Sequence, residues 1–118
     1  MDGKQRSTVS RSVGFTAQQE AQLDALGDAT RRRILERLRG GPQPVVAIAR
    51  GLPVSRPAVS QHLKVLKAAG LVSDHPEANR RLYSIDPHGL ATLRAVLDSF
   101  WEDALSRFAD LVEHDPSR

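Results

Sequence analysis

Apolar positions three and four residues apart organise most of this 118-residue chain, the spacing of a helix with one buried face. Thr16 and Gln19 stand at capping-box spacing and predict a short helix to about Leu26, with Leu23 and Leu26 as its apolar positions. Gly27 ends it, Asp28 caps a second helix, and Ile34, Leu35 and Leu38 form the next stripe. Gly40-Gly41-Pro42 stops that helix, and Val45 to Arg50 reads as a third, short one with Val46, Ile48 and Ala49 apolar. After the turn Gly51-Leu52-Pro53, Ser55 sits where an N-cap belongs, with Pro57 in the first turn. The fourth helix is predicted from about Arg56 to Ala69, closed by Gly70.

The periodicity then changes. Leu71 to His75 and Arg81 to Ile85 read as two short strands, joined by the turn residues Pro76 to Asn79. Asp86-Pro87 opens a last helix that runs to about Glu113, roughly 40 Å at 1.5 Å per residue. Residues 1–14 are rich in Ser and basic side chains, lack apolar patterning, and are expected to form a disordered basic arm. Residues 114–118 are a short tail, which leaves 15–113 as one domain. The expected fold is mainly α with a small β-hairpin. A helix–turn–helix followed by a hairpin is a winged helix-turn-helix.

Around the fourth helix, at about 100° per residue, Val59, Leu63 and Leu66 form an apolar line flanked by Ala58, Val65 and Ala69. The opposite arc carries Arg56, Pro57, Ser60, Gln61, Lys64, Lys67 and Ala68, and no acid interrupts residues 53–72. Such a face is either a solvated cationic surface or one that meets a polyanion. Arg56 and Gln61, early in the helix, can reach base edges in a major groove, where Arg pairs with guanine and Gln with adenine. Ser55, Ser60, Lys64 and Lys67 suit phosphates, which position a helix without reading sequence. His62 falls on the packed side, where a core-edge histidine satisfied by a backbone group is expected. Arg80 and Arg81 flank the hairpin turn, as a wing reaching DNA or as charges guarding a strand edge. Arg31-Arg32-Arg33 reads as a solvated face with at most one phosphate contact.

Charge sharpens this reading. Residues 1–85 hold 14 Lys/Arg against 7 Asp/Glu, a net +7, while residues 86–118 hold 3 against 7, a net −4. A basic body faces a polyanion, and the acidic last helix serves something else. Leu90, Leu93, Leu97, Phe100, Trp101, Leu105, Phe108 and Leu111 fall in one arc of that helix. A small domain does not cover a stripe this long, so Leu93, Leu97, Phe100, Trp101 and Phe108 are expected at a homodimer interface.

LDALGDATRRRILERL, PVSRPAVSQHLKVLKAAGLV and NRRLYSID resemble the ArsR/SmtB family of bacterial winged-helix repressors over about Leu23 to Leu111. Ser60, His62, Leu63 and Leu66, followed by Ala69-Gly70-Leu71-Val72, carry the most specific part of the likeness. The resemblance implies a homodimer that binds a double-stranded operator near a promoter and represses transcription. It also implies that Ser55, Arg56, Ser60 and Gln61 face bases, and that the first helix, with Leu23, joins the dimer interface.

Many relatives sense metals. One family site needs cysteines on the third helix, and the chain has none. The other is D-x-H, ten residues, H-x-x-E. Asp86, His88 and Glu102 match three of its four positions, but Ser99 replaces the second histidine. Removing an imidazole weakens zinc binding. The chain therefore resembles the metal-independent branch, with no cofactor expected and no small-molecule effector named by its residues. A zinc-responsive repressor and a protein-docking winged helix are the alternatives. No nucleophile–base pair, paired catalytic carboxylates or Gly-rich phosphate loop suggests an enzyme. No run of about 18 apolar residues suggests a membrane span, and no leader-like segment is seen, so a cytoplasmic location is expected.

Overall fold

A computed structural model describes residues 14–113. The basic arm read over 1–14 therefore lies outside the described residues except for Gly14, and so does the tail at 114–118. The elements in order are α1 (Ala17–Leu26), α2 (Ala29–Leu38), β1 (Gln43–Pro44), α3 (Val45–Ala49), α4 (Arg56–Ala68), β2 (Val72–Glu77), β3 (Arg80–Ile85) and α5 (Pro87–Glu113).

Local chemistry sets these boundaries. The Thr16 hydroxyl accepts from the Gln19 amide at 3.0 Å while Gln19 Oε1 accepts from the Thr16 N–H at 2.9 Å, a complete capping box. Asp28 caps α2 through the Thr30 N–H at 3.0 Å, and Ser55 caps α4 through the Ala58 N–H at 3.3 Å. Each such cap is worth about 1 kcal/mol. Gly70 ends α4 in the left-handed region at φ +81°, and the Leu71 N–H returns to the Leu66 carbonyl at 2.9 Å. Asp86 opens α5 by accepting from the His88 N–H at 3.0 Å.

The three strands form one antiparallel sheet in the order β1-β3-β2. Its first strand is absent from the sequence reading, because two residues carry no alternation to detect. The hairpin is also longer than expected. Pro76 and Glu77 extend β2, opposite Arg81 and Arg80, and the turn shrinks to Ala78-Asn79 with Ala78 at φ +58°. Pro76 is tolerated within the strand because β2 is an edge, where a missing N–H breaks no ladder.

Ile34, Leu38, Ile48, Val59, Leu63, Leu66, Leu71 and Val72 make the core, with Ala25, Ala69 and Leu93 at its ends. Two parts of the patterning differ from expectation. Val65, placed beside the packed line, is 41% exposed. On α1 the fully buried positions are Gln22 and Ala25, while Leu23 and Leu26 pack only partly against the core. The Gln22 amide donates to the Gly89 carbonyl at 2.9 Å, which fixes α1 to the start of α5. Beyond Val96, every residue of α5 up to Glu113 is exposed.

Candidate nucleic-acid interface

Cap and core together aim α4. With Val59, Leu63 and Leu66 buried, the arc of Arg56, Pro57, Ser60, Gln61, Lys64 and Lys67 faces outward, and all six residues are exposed. Among the described residues Arg56 and Lys64 have no ion-pair partner. Ser55 is exposed too, but its hydroxyl oxygen already serves as the helix cap. The short β1–α3 segment flanks the α4 N-terminus. Between it, α4 and the hairpin lies a groove of about 410 Å³, with Val45, Val46 and Tyr83 in its wall and Arg56, Arg80 and Arg81 around it. Among the described residues no acidic side chain lines this groove. The Arg56 and Arg80 guanidiniums on this shallow surface attract a polyanion and offer forked donors to phosphate oxygens or base edges, whereas Arg81 is engaged by an acid outside the groove wall.

Lys67 and Arg81 are placed differently from Arg56 and Lys64. Lys67 Nζ lies 2.7 Å from Asp74 Oδ1, and Arg81 Nε donates to Asp74 Oδ2 at 2.6 Å. The hydrogen bonds from Lys67 first and Arg81 second hold the Asp74 carboxyl below the ordinary aspartate range. One acid therefore ties the last turn of α4 to the wing. Sequence reading missed it, because residues 67, 74 and 81 meet only once the hairpin folds back.

His62 does lie on the packed side, but its neighbours are side chains rather than a backbone group. Its Nδ1 stands 3.4 Å from an Arg31 nitrogen and 3.7 Å from an Asp28 oxygen. Arg31 also donates to the Ala25 carbonyl at 2.8 Å, and Arg32 donates to the Leu26 carbonyl at 2.6 Å. Two members of the arginine triple thus satisfy the C-terminal carbonyls of α1, so the triple is more than a solvated face.

The candidates on α5 divide by depth. Leu93 is buried in the chain's own core, whereas Leu97, Phe100, Trp101 and Phe108 lie open, Trp101 at 65% exposure. Phe15 packs edge-on against Phe100 at 5.7 Å between ring centroids, so the segment before α1 reaches this stripe.

The chain matches the helix-turn-helix domain family over residues 26–75, from the end of α1 into β2. It is 61% identical over 89 residues to the HTH-type transcriptional regulator Rv2034 of Mycobacterium tuberculosis (strain ATCC 25618 / H37Rv), covering 75% of this chain and 83% of that one. It is 40% identical over 62 residues to the transcriptional repressor SdpR of Bacillus subtilis (strain 168), covering 52% and 69%. Among solved structures, it is similar to the homodimeric winged helix-turn-helix DNA-binding domain of a possible ArsR-family regulator from Mycobacterium bovis. The TM-score there is 0.62 at 29% identity, covering 82% of this chain and 90% of that one.

The chain belongs to the ArsR/SmtB family of transcriptional regulators. As a member it is a DNA-binding regulator and not an enzyme. In the ArsR/SmtB frame α3 and α4 are the helix-turn-helix and β2–β3 is the wing. The family's zinc pattern on the last helix fits this chain poorly. Asp86 Oδ1 is engaged as the α5 cap, and Ser99 supplies a hydroxyl where an imidazole is needed. Among the described residues no three His, Cys, Asp or Glu side chains cluster as metal ligands, and no helix is long and apolar enough to cross a membrane.

Proposed function

We propose that two copies of this chain form a homodimer that binds a two-fold symmetric operator and represses transcription from a nearby promoter, without a metal ion, in the cytoplasm. The observation that carries the reading is the groove between α4 and the wing, lined by Arg56 and Arg80 with no acidic side chain in its wall among the described residues. In this reading Arg56 and Gln61 read base edges from the α4 N-terminal half, and Ser60 and Lys64 hold phosphates. Ser55 contributes the cap that sets the helix entry angle, with Pro57 beside it. Arg80 reaches the backbone or the adjacent minor groove from the wing tip. Dimerisation is supported by the open stripe of Leu97, Phe100, Trp101 and Phe108 and by the homodimeric relative. Repression is supported by the likeness to a named repressor.

A gel shift with duplex fragments from upstream of the chain's own gene tests the proposal. Retarded complexes that resist excess random DNA are expected. Absence of any shift, even at low salt, contradicts it.

A further inference from the structure

We infer that Asp74 is a specificity-determining residue that withholds two cations, Lys67 and Arg81, from DNA phosphates and so suppresses binding to random sequence. The inference deepens the reading of α4 and the wing as the DNA interface, and it rests on that reading.

Three observations carry it. First, both oxygens of Asp74 are taken, Oδ1 by Lys67 at 2.7 Å and Oδ2 by Arg81 at 2.6 Å. Second, burial is unequal. The Asp74 side chain is 6% exposed while Lys67 and Arg81 are 55% and 54% exposed, so the acid is fixed and the cations reach the surface around it. Third, the cluster joins two elements that touch DNA in this reading. Lys67 lies on the same arc of α4 as Arg56, Ser60 and Lys64, and Arg81 lines the groove beside Arg56 and Arg80. The carboxyl stays ionised as pH falls through the ordinary aspartate range, since both partners favour its charged form.

Non-specific binding is almost entirely electrostatic, and each cation that neutralises a phosphate adds about 0.9 to the slope of log affinity against log salt. Two cations and one anion act as a net single charge. The cluster therefore contributes less to random-sequence affinity than its two bases suggest, while Gln61 and Arg56 keep their access to base edges. What results is a larger ratio of specific to random affinity.

Asp74→Asn removes the charge at nearly constant size, and Asp74→Glu keeps the charge while changing its reach. Binding of each variant and of the unaltered protein to a random-sequence duplex is measured between about 50 and 200 mM salt. Expected for Asp74→Asn is tighter random-duplex binding at low salt, by several-fold, and a slope steeper by about 0.9. Asp74→Glu is expected to keep the original slope. A purely structural role for Asp74 gives the opposite pattern, weaker binding with an unchanged or shallower slope, and overturns the inference. Asp74→Ser serves as the neutral variant if the Asn form does not fold. Failure of the unaltered protein to bind any duplex removes the interface reading and this inference together. Binding without steepening in the neutral variant removes the inference alone.

Discussion

Gly89 lies so close to Gly70 that a Cβ built on Gly89 would overlap the Gly70 carbonyl oxygen. The last turn of α4, through its left-handed glycine, thus rests directly on the first turn of the long helix. Only a residue without a side chain permits this approach. Gly89→Ala must push the two helices apart, and overpacking of this kind destabilises by about 1–3 kcal/mol or more. Urea denaturation at fixed protein concentration measures it. An unchanged midpoint would mean that the junction yields freely.

Gln22 closes the same junction from α1. Its Nε2 donates to Gly89 O, but its Oε1 is buried without a hydrogen-bond partner among the described residues. One bond gained and one acceptor stranded nearly offset each other, since each is worth about 1 kcal/mol. Gln22→Met, of similar size, is therefore expected within about 1 kcal/mol of the original stability, whereas Gln22→Ala loses about 2–5 kcal/mol through the cavity. Equal loss in both variants would show that the amide, and not its volume, holds α1 to α5.

Much of this was legible in the sequence because the signals are local. Thr16 with Gln19, Asp28, Ser55, Gly70 and Asp86 each announce a helix end through a side chain or a φ preference a few residues from its target, and the structure uses all five. The Val59–Leu63–Leu66 line was legible for the same reason. What escaped depends on residues distant in the chain. β1 exists only because Gln43 and Pro44 pair with Tyr83 and Leu82. Gln22 is buried because α5 returns over α1, and Asp74 becomes a clamp because the hairpin brings residue 81 back beside residue 67. On α5 periodicity marked one continuous stripe but could not mark where the chain's own core stops, which is just past Val96.

Beyond Val96 the stripe stays exposed, with Phe15 packed edge-on against Phe100 alone of its rings. Trp101→Glu places a charge at its middle, which an apolar interface between two copies does not tolerate. Sedimentation is expected to shift from dimer to monomer, with operator affinity falling by about 100-fold or more as linked half-sites become independent. A variant that remains dimeric would move the interface away from this part of α5.

Gln61 and Lys64 are neighbours on one exposed arc with different expected roles. Gln61→Ala should lose about 1–3 kcal/mol on the preferred site and little on random DNA. Lys64→Ala should weaken both alike and reduce the salt slope by about 1. Titrations of both variants on both duplexes at several salt concentrations separate the two. Interchanged behaviour would rotate α4 relative to the groove.

The most direct test of a symmetric dimer reading DNA through α4 is a footprint on the DNA upstream of the chain's own gene, run with the unaltered protein and with Arg56→Ala. The expected result is two protected half-sites related by inversion, with centres about 10 base pairs or a multiple of one helical turn apart, and loss of protection in the variant. A single unpaired site, or a footprint that Arg56→Ala leaves intact, would contradict it.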